Sequence, residues 1–335
     1  MFTFPAKWRM LAISAMLLAA ANVFAQPGKT PVTPATNNNG SAQIIPVSLT
    51  NEHVAATVNG EKILVGEVKK VLDQRPYPNA LTEDQKKQLR HAALDVLIED
   101  VVMRQYLKKH SAKVEQAEFN KEWNELQEAL KKQMKSLPEF LKETGQTQQQ
   151  LVDDIIARLQ WKNLLSRFYP DEKAKGYYET NKLFFDKVFV RASHILIKLP
   201  EKATKEQTAQ AVEQMRVWRN EILTGKVKFE DVVKQHSTCP SKDKGGDIGQ
   251  FPYKFVVVPE FAKAAFSMKK GEISDVVHTS FGLHLIMVTD RTAPEPSTFE
   301  NVRETVREVW AQDDDLYQRI LVDERKKGAI KIDLP

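Results

Sequence analysis

The sequence predicts an α+β chain in which a mixed segment of strands and short helices is inserted into a discontinuous, mainly helical domain. Three observations carry this expectation. Apolar residues recur at helical spacing across residues 82–168 and again across 297–327. Between them, residues 188–292 alternate short strand candidates with short helices. At the end of the chain, Ala329 to Leu334 alternate like a half-buried strand, which needs a partner, and a hairpin near the other end offers one.

The first elements lie outside the fold. Lys7 and Arg9 precede an apolar run from Met10 to Ala21, and Val23-Phe24-Ala25 puts a small residue just before Gln26. A span needs about 20 apolar residues, so residues 1–25 read as a cleavable secretory signal, with a retained anchor as the alternative. Gln26 in place of a cysteine argues against a lipoprotein. Signal removal lowers the formal charge from +5 to +3. Residues 26–48, rich in Pro, Thr and Asn, read as a disordered linker that cannot bury enough surface to offset its ordering entropy.

Residues 49–187 form the predicted helical N-terminal domain. Val54 to Val58 and Lys62 to Val65 flank Asn59-Gly60, the dipeptide suited to a tight hairpin. A helix is expected from Glu67 to Leu72, with a break at Gln74 to Asn79. Thr82 and Gln85 are spaced as a capping box for a helix to about His110, carrying Leu94, Leu97, Ile98, Val101 and Val102 on one face. Further helices are expected at Glu115 to Lys135 and Thr147 to Phe168, with a short one ending at Gly145. Core packing accounts for their apolar faces; an incompletely covered groove for extended polypeptide is the second reading. In the closing segment, residues 293–335, one helix from Ser297 as N-cap to Lys327 precedes the terminal strand, and both return to the N-terminal domain.

Composition excludes several functions. One cysteine, Cys239, in 335 residues rules out an internal disulfide framework and Cys-rich zinc modules. The 49 basic and 44 acidic residues are interspersed, so no nucleic-acid-binding stripe is expected.

The chemistry lies in residues 188–292. Strands are expected at Val188 to Lys198, Asp275 to Val277 and Leu283 to Thr289. Helices are expected at Glu206 to Leu223, Phe229 to His236 and Pro259 to Ser267. Arg191-Ala192-Ser193-His194-Ile195-Leu196, Gly245-Gly246-Asp247-Ile248-Gly249, Val258-Pro259-Glu260-Phe261, Lys270-Gly271-Glu272-Ile273-Ser274 and Thr279-Ser280-Phe281-Gly282-Leu283-His284 follow in that order. Together they resemble the parvulin family of peptidyl-prolyl isomerases, and the whole layout looks like the exported foldases of the SurA and PrsA type.

The resemblance implies a parvulin-type α+β domain at 188–292 and a polar catalytic cluster of His194, Cys239, Thr279 and His284. Ile248, Val257, Phe261 and Phe281 would wall the proline pocket. The histidines would bond to each other, with Thr279 fixing tautomers, and Cys239 would tune the environment of the substrate carbonyl. The reaction asks for no metal and no cofactor. The loop Gln250 to Val258 departs from the family pattern: it lacks the expected glycine, is one residue longer, and places Val257 nearest the usual Met. Lys198, Lys202 and Lys205 do not reproduce an arginine clamp for phosphate, so no phospho-dependent preference is expected.

Two sharper alternatives fail on their own terms. A Cys239–His protease would need an orienting Asn or Asp motif. Zinc at His236-x-x-Cys239 would need histidines that the motif already pairs. The implied function is exported peptidyl-prolyl isomerisation on unfolded Xaa-Pro polypeptides, in the periplasm or cell envelope, with holdase activity in the helical domain. The alternative is a non-catalytic chaperone whose middle domain only binds extended segments. No stable membrane span is expected after signal cleavage.

Overall fold

The computed structural model describes residues 44–335 apart from 74–76, 78–80 and 201. The expected signal segment, most of the expected linker and most of the expected break at 74–79 lie outside the described residues. Of the described residues, 44–170 together with Arg307–Pro335 form one compact unit, and Asp171–Val306 form a second.

The first unit starts from the hairpin. Strands β1 (Val54–Val58) and β2 (Glu61–Leu64) pair antiparallel across Asn59-Gly60. Both turn residues have positive φ, 50° and 90°, the combination a two-residue hairpin of this hand requires. Strand β7 (Ile330–Ile332) adds to the free edge of β1, giving the order β2-β1-β7. Asn59 secures the join: its backbone N–H donates to Ala329 O at 2.9 Å, and its Oδ1 accepts from Ala329 N at 2.8 Å.

Helices α1 (Val65–Asp73) and α2 (Glu83–His110) cover this sheet. Thr82 and Gln85 make the capping box, with Gln85 N–H donating to Thr82 Oγ1 at 3.3 Å and Thr82 N–H to Gln85 Oε1 at 2.9 Å. The core joins Val58, Ile63, Val68, Leu94 and Ile98 to Leu164 and Leu165 of α5 (Gln148–Phe168). A smaller cluster, Leu126, Leu130, Phe140, Leu151, Ile155 and Leu159, holds α3 (Gln116–Lys132) and α4 (Leu137–Thr144) against α5. Among the described residues no helix is long and apolar enough to cross a membrane.

Three expectations for this part of the chain are corrected. The linker does not stay outside the fold as far as Ser48: Ile44 and Ile45 are buried in the core, and Arg90 Nη1 donates to Ile44 O at 2.8 Å. Two consecutive isoleucines bury enough apolar surface to order this short stretch despite the polar run before it. The closing helix is also two helices, α11 (Phe299–Asp313) and α12 (Leu316–Lys327). Three aspartates, Asp313 to Asp315, crowd negative charge at a helix C-terminus, where it is unfavourable. Asp315 turns to φ 49°, and Asp314 accepts from Tyr169 Oη at 3.0 Å. Ser297 is not the N-cap; its N–H and Oγ–H both donate to Asp186 Oδ1 at 2.8 Å, and Thr298 accepts from Asn301 N.

The second unit carries a four-stranded antiparallel sheet of order β4-β3-β6-β5, from β3 (Phe189–Ile197), β4 (Asp247–Pro252), β5 (Val277–Thr279) and β6 (Gly282–Arg291). Val190, Ala192, Ile286 and Val288 face α10 (Pro259–Ser267) in a core with Phe251, Phe261 and Phe266. Ile195, Leu283 and Leu285 face the other way, into Met215 of α8 (Lys205–Leu223) and Phe229 and Val233 of α9 (Phe229–His236). Two further helices precede the sheet, α6 (Asp171–Thr180) and α7 (Lys182–Phe185).

The strand expected at Asp275 to Val277 lies later, at Val277–Thr279. Ser274 accounts for the shift: its N–H donates to Ile286 O and its Oγ accepts from Ile286 N, while Arg219 Nε donates to Ser274 O. The side chain thus supplies bonds that a regular ladder would have drawn from the backbone.

Candidate active site

The two imidazoles meet because of register. In the β3–β6 ladder His194 lies opposite Ile286, and His284 opposite Leu196. The histidines are therefore diagonal neighbours on the same sheet face, roughly 7–8 Å apart at the backbone and within reach of ring side chains. Their Nδ1 atoms lie 3.1 Å apart and the rings stack with centroids 5.3 Å apart, tilted by 19°. Phe261 stands edge-on to both, at 5.6 Å from His194 and 5.4 Å from His284. Phe251 backs Phe261 at 5.9 Å.

Thr279 Oγ1 lies 2.8 Å from His284 Nε2 and accepts the Phe281 N–H at 3.1 Å. Thr279 Oγ1 also lies 3.5 Å from Gly282 O. Thr279, His284 and His194 thus form one hydrogen-bonded run. His194 Nε2, at its end, is buried and, among the described residues, has no hydrogen-bond partner. Burial pushes His194 down to about 4; burial and then the neighbouring His194 push His284 down to about 4. Both rings are neutral at pH 7.

The backbone around His194 is clamped. Its N–H donates to Gly246 O at 3.0 Å. Gly246 has φ 78°, and a Cβ there would stand 2.4 Å from His194 O, so only glycine allows this approach. Arg191 Nε donates to Asp247 at 3.2 Å, which, with its other bonds to Arg191, holds the carboxyl below its usual range.

The remaining expected residues are distributed around this cluster. Cys239 is half-buried at the start of a short 3-10 helix, Pro240–Lys244. Its thiol accepts from Ser241 Oγ at 3.1 Å, and no hydrogen bond among the described residues joins it to either imidazole. Ser237 Oγ accepts from Leu196 N at 3.1 Å and Cys239 N at 3.3 Å, while Thr238 N donates to Leu196 O at 2.8 Å. These bonds moor the cysteine loop to β3. Ser237 and Ser241 were not legible as site residues, and the sole signal is a short polar loop between α9 and Pro240. Ile248 and Val257 pack at the margin of the Phe251–Phe261 core, and Phe281 is 61% exposed in the β5–β6 turn. His236, outside the cluster, stacks on Trp218 at 4.4 Å.

Residues 194–290 match the Rotamase family, described as the PPIC-type PPIASE domain. A foldase protein PrsA from Caldanaerobacter subterraneus is 31% identical over 276 residues, covering 78% of this chain and 80% of that protein. The peptidyl-prolyl cis-trans isomerase Pin1 of Malus domestica is 41% identical over 113 residues, covering 30% of this chain and 93% of that protein. A crystal structure of PrsA from Bacillus anthracis is 24% identical, covering 69% of this chain and 96% of that one at a TM-score of 0.37. Facing histidines locked by a threonine beneath a phenylalanine thus sit inside a PPIC-type domain, and the chain belongs to the PrsA foldase family as a peptidyl-prolyl cis-trans isomerase.

Proposed function

We propose that the chain is an exported isomerase that turns over Xaa-Pro bonds in unfolded secretory or envelope polypeptides, its helical unit holding the client meanwhile. The observation that carries this reading is the run Thr279–His284–His194 ending on the buried His194 Nε2 beside Phe261, which has no hydrogen-bond partner among the described residues. Prolyl isomerisation faces a barrier of about 18–20 kcal/mol because planarity is held by charge-separated resonance. The twisted amide has lost that resonance and is less polar, so a dry wall of Phe261, Ile248 and Val257 favours it over either planar form. As the nitrogen leaves conjugation its lone pair becomes an acceptor, and a neutral ring that donates through Nε2 can satisfy it without placing a charge in the pocket. Cys239 and Phe281 complete the reading at the carbonyl side and the outer rim. The secretory character of residues 1–25, with Gln26 rather than cysteine after the small residue, supports export without lipidation.

The test is cis-to-trans conversion of a reporter Xaa-Pro peptide by the full chain. Wild type is expected to accelerate conversion, His194→Ala and Cys239→Ala to lose most of that acceleration, and Cys239→Asp to retain it. Wild type no faster than buffer sinks the reading. The departure of the loop 250–258 favours a second reading, in which the unit binds extended segments without turnover. That reading requires full-length His194→Ala to suppress client aggregation as well as wild type while neither protein speeds conversion.

A further inference from the structure

On the two rungs that carry the imidazoles, backbone hydrogen bonds run outward from the β3–β6 ladder. Leu196, opposite His284, gives its N–H to Ser237 Oγ at 3.1 Å and accepts Thr238 N–H on its carbonyl at 2.8 Å. Ile286, opposite His194, gives its N–H to Ser274 Oγ at 2.9 Å and accepts Ser274 N–H on its carbonyl at 2.8 Å. His194 N–H likewise leaves the ladder, for Gly246 O. Both rungs are thus the non-hydrogen-bonded pairs of an antiparallel ladder, where opposed Cα atoms stand about 4.5 Å apart and side chains come closest. That closeness lets the rings meet, but it leaves the seating of these rungs to groups outside the ladder.

Two of those groups are serine hydroxyls, and both residues are buried. A buried backbone N–H has to find an acceptor, so each hydroxyl holds its rung firmly. Ser237 Oγ uses its second lone pair on Cys239 N at 3.3 Å. One oxygen therefore fixes both the residue facing His284 and the backbone of the cysteine. Ser274 stands on the other side of the ladder, its carbonyl accepting from Arg219 Nε at 2.8 Å. We propose that Ser237 and Ser274 are positioning residues for prolyl isomerisation, each seating the strand residue that faces one imidazole, with Ser237 tying the place of Cys239 to that of the pair. The proposal rests on the reading of the histidine pair as the catalytic cluster. Neither hydroxyl is assigned a contact with client: each acts through the backbone, by keeping the Nδ1 atoms at 3.1 Å and the rings beside Phe261.

The experiment compares full-length wild type, Ser237→Ala and Ser274→Ala in peptide turnover, in the ring ¹⁵N signals of His194 and His284, and in alkylation of the single cysteine by iodoacetamide. Both variants are expected to lower kcat about 3- to 10-fold with KM within about twofold, because the apolar wall is untouched. Ring signals are expected to move in both. Alkylation is expected to speed up at least about threefold in Ser237→Ala, which frees the cysteine loop, and to stay unchanged in Ser274→Ala. Ser237→Thr keeps the hydroxyl and is expected to stay within about twofold of wild type in kcat. Tyr178→Phe, which removes the bond to Ser297 O at 2.7 Å in the same unit, is the control for lost stability alone and is expected to move neither rings nor thiol. Ser274→Ala carries the ring measurement if Ser237→Ala does not fold. Unmoved ring signals in the serine variants overturn the proposal, as do equal ring and thiol changes in Tyr178→Phe, or a Ser237→Thr protein as impaired as Ser237→Ala. A wild type that does not turn over the peptide counts against the isomerase reading, and the ring and thiol measurements decide the positioning role without it.

Discussion

Acid should unfold the isomerase unit through its histidine pair. Both imidazoles are held at about 4, against about 6.5 in an unfolded chain. The unfolded state therefore binds more protons than the folded state between those values. Stability is full above pH 6.5 and falls as pH drops toward 4. Between pH 7 and pH 5 each imidazole forfeits about 2 kcal/mol, and the pair about 3–4 kcal/mol. With urea m-values of about 1–3 kcal/mol/M, the midpoint should fall by at least about 1 M over that range.

The indole signal of Trp218, the only tryptophan in Asp171–Val306, reports this unit specifically. The comparison protein is His194→Asn/His284→Asn, which keeps hydrogen-bonding groups near both Nδ1 positions but cannot titrate. Asp154, held up to about 6 by desolvation, acts in the opposite direction; it lies in the other unit and is common to both proteins, so it drops out of the difference. Wild type and double variant losing the same midpoint between pH 7 and 5 would refute the argument. So would imidazole signals from the pair titrating near 6.5 in the folded protein.

Other outcomes follow from single contacts. Thr279→Val removes the hydroxyl that bonds His284 Nε2; leaving that atom unpaired should cost about 1–3 kcal/mol, and the ¹⁵N shifts of both rings should lose their single-tautomer pattern. Gly246→Ala forces a Cβ against His194 O and should destabilise the unit by more than about 1 kcal/mol, seen as a lower urea midpoint, with slower peptide turnover. Asn59→Ala loses the bond to Ala329 N and a side chain suited to positive φ; it should cost about 1–2 kcal/mol and raise amide exchange at Ala329 and along β7. Arg90→Met leaves Ile44 O and Pro335 O without their buried donor and should lower the melting temperature of the first unit.

Much of this molecule was legible because strong local signals agreed with the tertiary outcome. Thr82 with Gln85 and Asn59-Gly60 specify their cap and turn by chemistry that needs no distant partner. The two histidines were legible through motif resemblance, but their Nδ1-to-Nδ1 contact depends on a register that pairs Leu196 with His284, which no local pattern encodes. Strand β4 was hidden by its own composition: Gly249 and Pro252 read as turn residues, and its edge position tolerates them. The helices at Asp171–Thr180 and Lys182–Phe185 escaped notice because they are short and interrupted. Ile44 and Ile45 were masked by the polar run before them, and only the cavity they fill distinguishes them from linker.

The strand β7 that closes the first sheet has a consequence in time. Asn59 and Ala329 are 270 positions apart, so the hairpin must wait for nearly all of the polypeptide before its free edge is covered. Asp171–Val306 is one contiguous stretch and needs no such wait. During synthesis the isomerase unit can reach its folded state first, while the hairpin keeps an open edge able to pair with other strands. Until Ile330–Ile332 arrives, the first sheet is thus itself an unfinished structure with an exposed edge.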